Sequence, residues 1–174
     1  MTTEFEKGKF FNDFVQVGVV ISDIEASIKV LTEVFGLGPF RVFDWPSADR
    51  GDLKRCYYSE PESFCAKMAF TEIGNIELEL IQPTKGRSVW ADFLAEHGPG
   101  IHHIRFNVEE YEPVVDYLKS NGIEVTQWGE GIRPGTRWAN LGTEALIGFG
   151  IEIMKKLPGT NGRTPQVNEV SASE

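Results

Sequence analysis

Apolar and polar positions follow the same order in both halves of the chain. Residues 14–20 and 101–108 alternate between apolar and polar side chains, which predicts a half-buried β-strand at the start of each half. Each strand leads into acidic residues and then into apolar residues at helical spacing, a pattern typical of an amphipathic helix. We therefore expect each half to begin with the same strand and helix.

The first predicted helix has recognisable signals at both ends. Asp23 is a suitable N-cap, because its carboxylate can accept hydrogen bonds from the backbone N–H groups of the first turn. Gly36 is a suitable stop, because glycine readily adopts the left-handed conformation in which many helices end. The buried stripe of the helix is predicted to contain Ile24, Ile28, Leu31 and Phe35.

Further strands and helices are predicted in matching order. In the first half the pattern predicts three more strands, at residues 38–44, 64–72 and 76–82. In the second half it predicts a helix and three strands, at residues 110–120, 123–128, 136–141 and 147–154. A short helix is expected at 89–96, and residues 45–63 form a long polar loop that is either functional or mobile at this length.

The two halves also match residue by residue. A shift of 87 residues places Gln16 on His103, and near the end of each half a shift of 73 residues places Glu79 on Glu152. The order of one strand, one helix and three strands therefore occurs twice. This repeat predicts an α+β fold, with two paired βαβββ modules forming curved sheets around one metal-binding cleft.

The repeat also divides the chain. We place the first module at residues 10–82 and the second at 101–157, with a connector at 83–100 between them. Residues 158–174 are rich in Gly, Thr, Asn, Pro and Ser, which predicts a disordered tail.

Composition restricts the partners and the location. The net charge of −9 argues against nucleic acid and anionic membranes as partners, because the sequence contains no basic stripe. Cys56 and Cys65 have the spacing of neither a zinc site nor a disulfide framework, which favours reduced thiols in a cytoplasmic protein. The first nine residues lack the apolar run of a signal peptide, and no transmembrane span is expected.

Four side chains at repeat-equivalent strand positions are candidate metal ligands: Gln16, Glu79, His103 and Glu152. Each alone has an ordinary explanation, since a glutamate in an alternating strand usually faces solvent and a histidine is usually a satisfied core residue. Their joint placement favours a shared site, because a divalent cation compensates the cost of burying two carboxylates.

Strand alternation also predicts the neighbours of these candidates. Glu77 is expected on the same face as Glu79, whereas Leu78 and Leu80 are expected to pack outside against helices. By the same alternation His102 points away from the cleft, where a structural role is expected.

The chain resembles a known family. Residues 98–108, GPGIHHIRFNV, are similar to the fifth strand of methylmalonyl-CoA epimerases, and residues 14–156 resemble the vicinal oxygen chelate superfamily. That superfamily includes glyoxalase I, these epimerases, extradiol dioxygenases and bleomycin-resistance proteins. The resemblance implies one divalent metal ion (Zn, Ni, Co, Mn or Mg) held by Gln16, Glu79, His103 and Glu152. It further implies a homodimer as a possible assembly.

The resemblance also implies catalytic roles. Glu152, in the last strand, is the implied base, and an epimerase needs a second acid or base on the opposite face of the substrate. Alignment with the family places Lys67 where epimerases have a glutamate, so Lys67 is the candidate for that role unless it is simply solvated. The ligand set departs from the epimerases at Gln16, where a histidine is more usual, and it disfavours a dioxygenase, whose iron needs two histidines.

Three further residues are candidates for substrate binding. Arg105 and Asn107 share the strand face of His103, and Arg105 is expected either to hold a substrate anion or to pair with Glu77 or Glu79. Trp138 either walls the cleft or belongs to the core.

These residues together predict a metal-dependent isomerase, epimerase or lyase. It would act by α-proton transfer through a metal-stabilised enolate or enediolate, on a small carbonyl or acyl-thioester substrate. The alternative is a metal-free binding or resistance protein of the same fold.

Overall fold

The computed structural model describes residues 10–162. The strands are β1 (Phe14–Val20), β2 (Arg41–Trp45), β3 (Arg55–Tyr57), β4 (Glu60–Pro61), β5 (Cys65–Ile73), β6 (Ile76–Lys85), β7 (Gly100–Val108), β8 (Val125–Glu130), β9 (Arg137–Leu141) and β10 (Gly150–Lys155). The helices are α1 (Ile24–Glu33), α2 (Val89–His97), α3 (Tyr111–Ser120) and α4 (Glu144–Ile147). These elements confirm the α+β class and the repeated order.

All ten strands form one sheet, in the order β2-β5-β6-β1-β7-β10-β9-β8-β3-β4. The sequence pattern predicts two curved sheets, and the structure joins them edge to edge because β1 and β7 pair antiparallel. The joined sheet curls into a half-barrel. The first module contributes the half β2-β5-β6-β1 and the second contributes β7-β10-β9-β8, to which β3 and β4 of the first module are added at the edge. The first strands of the two modules therefore lie side by side where the two halves join.

The strand registers confirm the internal repeat. In the first module Gly18 of β1 lies opposite Glu79 of β6 in a parallel pair. In the second module Arg105 of β7 lies opposite Glu152 of β10, also in a parallel pair. Gly18 and Arg105 are related by the same 87-residue shift that relates Gln16 to His103. Equivalent residues therefore occupy equivalent positions around the junction of β1 and β7.

Helix α1 follows the predicted pattern except at its end. The carboxylate of Asp23 accepts a hydrogen bond from the backbone N–H of Ala26 at 2.9 Å, as expected of an N-cap. Ile24 is fully buried at the start of the helix. The prediction was wrong for Phe35, which is 66% exposed, because the helix ends at Glu33 and the helical spacing no longer applies beyond it.

The long segment between β2 and β5 is not a simple loop. It contains β3 and β4, and β3 pairs antiparallel with β8 of the second module. Both strands are too short to show an alternating pattern in the sequence. The backbone hydrogen bonds to β8 tie this segment of the first module to the edge of the second.

Helices cover both faces of the sheet. Helix α1 packs against β5 and β6, where Leu78 and Leu80 face it as predicted. Helix α3 packs against β10. Helix α2 lies on the other face, where Trp90 joins a buried aromatic cluster, and each fully buried large apolar side chain contributes about 1.5 to 3 kcal/mol. Among residues 10–162, no helix is long and apolar enough to cross a membrane.

Candidate metal centre

Two neighbouring cross-strand rows hold the polar side chains at the centre of the sheet. In the first row the side-by-side positions are Glu77, Gln16, Arg105, Glu152 and Asn140. In the second row they are Glu79, Gly18, His103 and Gly150. We call the face that carries these rows the cleft face. The structure thus brings together all four residues that the sequence pattern proposes as metal ligands, and every one of them is buried.

His103 lies over a glycine. A Cβ atom built on Gly18 would lie 2.2 Å from Cε1 and 2.4 Å from Nε2 of His103, so only glycine leaves room for the imidazole. A Cβ on Gly150, the neighbour on the other side, would approach the Cβ of His103 to 3.4 Å. Gly18 therefore creates the space in which the ring lies, and Gly150 lies against the base of the same side chain.

Replacing Gly18 by alanine is expected to destabilise the fold by about 1 to 3 kcal/mol, because the new methyl group overpacks the site and pushes the imidazole aside. Urea unfolding measures this free energy. Gly51→Ala is the matched control, because Gly51 has helical φ and a Cβ atom placed on it would have no neighbour within 4 Å. Equal free energies of unfolding for the two variants would contradict the packing argument.

The imidazole of His103 faces two carboxylates. Its Nε2 lies 3.4 Å from Oε2 of Glu79 and 3.7 Å from Oε2 of Glu152. Its Nδ1 lies 3.1 Å from Nδ1 of His102, within hydrogen-bond distance. When Nδ1 of His103 carries the proton of that hydrogen bond, Nε2 is unprotonated and its lone pair is free.

Burial changes the pKa values of all three groups. It lowers the pKa of His103 to about 3, with the positive charge of Arg105 acting in the same direction, so the ring is neutral. Burial raises the pKa of Glu79, and Arg105 partly opposes this. Burial also raises the pKa of Glu152, which the negative charge of Glu79 raises further. The chain's own cations therefore do not fully compensate these two carboxylates.

Gln16 makes a specific contact with a residue outside the predicted ligand set. Its Nε2 donates a hydrogen bond to Oε1 of Glu77 at 2.8 Å, and both side chains are fully buried. Glu77 also accepts from Arg41 at 3.1 Å, and Nη2 of Arg105 lies 3.5 Å from its Oε1. A buried carboxylate is thus held between two guanidinium groups and one amide.

Whether these residues suit a metal ion can be judged from their buried polar atoms that make no hydrogen bond. Within residues 10–162, Oε1 of Gln16 and Nε2 of His103 are buried and make no hydrogen bond. Donor atoms bound to one ion at about 2.1 Å lie roughly 3 to 3.5 Å apart, which is close to the spacing between Nε2 of His103 and the two carboxylates. The types of donor atom and the distances between them therefore fit a divalent cation.

The candidate ligands nevertheless do not form a complete coordination site. In the described part of the chain, no group of three or more His, Cys, Asp or Glu side chains has a ready-made metal-binding arrangement. The fourth candidate donor is an amide, from Gln16, and the carboxylates would have to adjust to meet an ion. Metal binding at this centre is accordingly a proposal from donor chemistry and burial.

Lys67 does not reach the cleft, and the prediction that it serves as the second acid or base was wrong. It lies on β5 with its side chain on the outer face, where it forms an ion pair with Glu25 of α1. The cleft face of β5 instead carries Met68 and Phe70. The ion pair raises the pKa of Lys67, so less of its amine is in the neutral form that can accept a proton.

The three candidate substrate-binding residues have different surroundings. Arg105 and Trp138 both line the cleft beside the metal centre. Asn107 does not line it: its Nδ2 donates to Oδ2 of Asp13 at 3.1 Å and to the backbone carbonyl of Asn161 at 3.3 Å. These bonds indicate that Asn107 holds Asp13 and Asn161 against β7.

Part of the predicted tail packs against the sheet. Residues 158–162 are described, and the backbone carbonyl of Gly162 accepts a hydrogen bond from Nη2 of Arg105 at 3.2 Å. A Cβ on Gly162 would lie 2.2 Å from Nδ2 of Asn107, which shows how closely the backbone approaches. The remainder of the predicted tail, residues 163–174, lies outside the described residues.

An aromatic wall lines the same cleft as Glu79 and Glu152. Trp138 stacks on Trp90 with ring centroids 5.3 Å apart, and Trp45 meets Trp138 edge to face at the same distance. The cleft encloses about 520 Å³ including the part open to solvent, of which about 60 Å³ can hold the centre of a water molecule. It is therefore narrow, and both tryptophan rings and buried carboxylates line it.

Sequence reasoning missed several contributors to this site. Asn140 donates a hydrogen bond to Oε2 of Glu152 at 3.3 Å, which holds that carboxylate in place. Trp45 is the last residue of β2 and Trp90 lies in α2 of the connector, and neither belongs to the segments that the repeat matches. The sequence placed Glu77 on the cleft face, yet nothing in the pattern indicated its contact with Gln16.

Comparison with known protein families identifies the superfamily of this chain. Residues 15–140 match the family described as the Glyoxalase/Bleomycin resistance protein/Dioxygenase superfamily. This match covers most of the chain. The chain belongs to that superfamily. Membership confirms the resemblance to the vicinal oxygen chelate proteins that the sequence suggested, and it leaves the chemistry open because the superfamily name covers both enzymes and resistance proteins.

Several solved structures share the fold of this chain. The hypothetical protein BH1468 from Bacillus halodurans C-125 is 25% identical, with a TM-score of 0.63 over 85% of this chain and 96% of that one. Methylmalonyl-CoA epimerase from Mycobacterium tuberculosis is 19% identical, with a TM-score of 0.58 over 86% and 91%. A methylmalonyl-CoA epimerase in complex with methylmalonyl-CoA and NH4+ is also 19% identical, with a TM-score of 0.61 over 89% and 99%. Comparison with curated protein sequences gives no match.

Proposed function

We propose that this member of the superfamily is a metal-dependent isomerase, epimerase or lyase that moves a proton next to a carbonyl group. The observation that carries the proposal is the set of buried groups at the junction of β1 and β7. Two carboxylates with raised pKa values face a neutral imidazole, and the buried Oε1 of Gln16 and Nε2 of His103 make no hydrogen bond within residues 10–162. The fold likeness to methylmalonyl-CoA epimerases supports the same reaction class.

Four residues would hold one divalent ion: Gln16, Glu79, His103 and Glu152. Zn, Ni, Co, Mn and Mg are all compatible with a set of oxygen and nitrogen donors. When bound, the ion would act as a Lewis acid toward a substrate carbonyl oxygen. The rest of the chemistry falls to the side chains of the chain.

Glu152 is the proposed base. A carboxylate whose pKa is raised by burial takes up a proton more readily near neutral pH than an exposed glutamate does. The amide of Asn140 holds one of its oxygens, so its orientation is fixed. Because Lys67 points away, Glu79 is the remaining buried carboxylate beside His103, and we propose it for the second acid or base that an epimerase needs.

The cleft indicates the class of substrate. Trp138 and Trp90 offer flat apolar surfaces to a hydrocarbon or thioester portion, and Arg105 offers a guanidinium to a carboxylate. The narrow space suits a small acyl group beside the carboxylates. We therefore propose a small carbonyl or acyl-thioester substrate, with methylmalonyl-CoA as the first probe because structural neighbours act on it.

The rival function is a metal-free binding protein of the same fold, and the aromatic wall is the observation that favours it. Flat indole rings would hold an apolar ligand equally well. A sequestering pocket gains nothing, however, from two buried carboxylates, each of which costs free energy to desolvate.

The metal content of the purified protein separates these two functions. We expect about one divalent ion per chain by mass spectrometry, after incubation with Ni, Co, Zn or Mn followed by desalting. We further expect the loaded protein to exchange the α-proton of methylmalonyl-CoA for deuterium in D2O, as followed by NMR. Absence of bound metal under all four conditions, and with Mg as well, would exclude the enzyme and leave the binding protein.

The assembly and location stay predictions. The homodimer implied by the family is tested by light scattering on the purified protein, and the cytoplasmic location by fractionation of the producing cells.

A further inference from the structure

Glu77 breaks the internal symmetry of the centre. Glu79 corresponds to Glu152, so the residue that corresponds to Glu77, two positions earlier in the strand, is Gly150. The second module therefore has no counterpart to this carboxylate. A fully buried charge of this kind costs several kcal/mol before its partners compensate it. Its presence in one module alone calls for a local reason.

The contacts of Glu77 explain where its charge is compensated. Arg41 binds Oε2 at 3.1 Å, and Arg105 approaches Oε1 at 3.5 Å. Arg105 is itself a departure from symmetry, since its repeat equivalent is Gly18. The second module thus has an arginine where the first has a glycine, and the first has a glutamate where the second has a glycine. The two unmatched residues meet each other.

The contact of Glu77 with Gln16 determines how the amide of Gln16 is oriented. A carboxylate only accepts hydrogen bonds, so the amide group of Gln16 must turn its NH₂ toward Oε1 of Glu77, as it does at 2.8 Å. The opposite rotamer would place two acceptor oxygens against each other in a buried site. The carbonyl oxygen of Gln16 is thereby directed away from Glu77, and it is buried without a hydrogen bond among residues 10–162.

We infer that Glu77 is a positioning residue that fixes the amide of Gln16, so that its oxygen and not its nitrogen is presented to a divalent cation. This inference rests on the proposed function, because it concerns the same centre. An amide oxygen carries the lone pairs that a cation binds, whereas the NH₂ group has none to offer. The amide can be a ligand only in the orientation that Glu77 imposes.

Replacement of Glu77 by glutamine should reverse this orientation. The new amide must place its oxygen toward Arg41, because the bond to a guanidinium is charge-assisted and the stronger one. Its NH₂ then faces Gln16, which turns its own oxygen toward residue 77 and its NH₂ toward the centre. Glu77→Gln therefore removes a ligand without touching any residue of the proposed ligand set.

A double-mutant cycle on metal affinity tests the inference. Co²⁺ binding is titrated by its visible absorption for wild type, Glu77→Gln, Gln16→Ala and the double variant. We expect Glu77→Gln to weaken Co²⁺ binding about 10- to 100-fold, the size typical of lost supporting contacts. In the Gln16→Ala background the same change should weaken binding less than twofold, because the residue that it positions is gone.

Two controls guard the result. Glu33→Gln makes the same substitution at an exposed position of α1, and it should leave the affinity unchanged. Urea unfolding of every variant shows whether it is folded. If Glu77→Gln does not fold, Glu77→Asp takes its place in the cycle, since it keeps the charge and draws it back by one methylene.

The outcomes separate this inference from the proposed function. If wild type binds neither Co²⁺ nor any of Zn²⁺, Ni²⁺, Mn²⁺ and Mg²⁺, the proposed function itself fails. If wild type binds Co²⁺ and Glu77→Gln weakens binding equally in both backgrounds, the proposed function stands and the positioning role is overturned. A readout without metal completes the test: the side-chain NH₂ signals of Gln16 in NMR should exchange slowly with solvent in wild type and shift in Glu77→Gln.

Discussion

Changing Glu152 to glutamine is expected to lower the rate of α-proton exchange by a factor of about 10² to 10⁴, the range that a positioned general base contributes. Glutamine has nearly the same shape as glutamate but cannot accept the proton at neutral pH. Its amide oxygen still offers a lone pair, so the variant should keep measurable Co²⁺ binding with reduced affinity. The measurement is deuterium incorporation into methylmalonyl-CoA in D2O, at saturating metal.

The geometry of the site explains why the effect should be this large. Glu152 is held by Asn140, and its pKa is raised by burial and by the charge of Glu79. These features make it a fixed base of increased strength. Glu33→Gln, at an exposed position of α1, is the control and should leave the rate unchanged. A Glu152→Gln rate within threefold of wild type, at full metal occupancy, would assign the base to another residue.

The sequence predicts the centre of this fold because a strand has a period of two residues. Gln16 and His103 occupy the same place in two strands of equal pattern, and Glu79 and Glu152 do so in two others. Once the four strands lie together, alternation alone decides which side chains face the cleft. The register of β1 with β6 and of β7 with β10 bears this out.

The alignment, and not strand alternation, placed Lys67 at the cleft, whereas its side chain lies on the outer face. On β5 the residues from Ala66 to Phe70 are apolar except for Lys67, so the sequence pattern does not distinguish the two faces of the strand. With no alternation to indicate a face, the placement of Lys67 depended on the alignment alone. A shift of one residue in a strand moves every side chain to the opposite face, which is the difference between the cleft and the ion pair with Glu25.

The aromatic wall could not be predicted for a different reason. Trp45, Trp90 and Trp138 belong to a strand end, the connector helix and β9, and they meet only after the sheet has curled. No local pattern records a contact between segments so far apart in sequence. The join of two predicted sheets into one is likewise a contact between edges, visible only in the pairing of β1 with β7.

Removing the imidazole of His103 provides the second large effect. Loss of an outer contact to a metal ligand costs about 10- to 100-fold in affinity, so loss of a ligand itself should cost at least about 100-fold. We therefore expect His103→Ala to bind no Co²⁺ at concentrations that saturate wild type, and to lose α-proton exchange with it. The measurements are the Co²⁺ titration and the deuterium exchange described above.

His103 is the single nitrogen donor in the proposed set, and the structure offers two histidines for comparison. His97 is exposed on α2, and His97→Ala should bind Co²⁺ as wild type does. His102 touches only the Nδ1 side of His103, at 3.1 Å, so His102→Ala should weaken binding by a smaller factor than His103→Ala. Undiminished Co²⁺ binding in His103→Ala would mean that the metal binds elsewhere. The burial of the two carboxylates would then need another explanation.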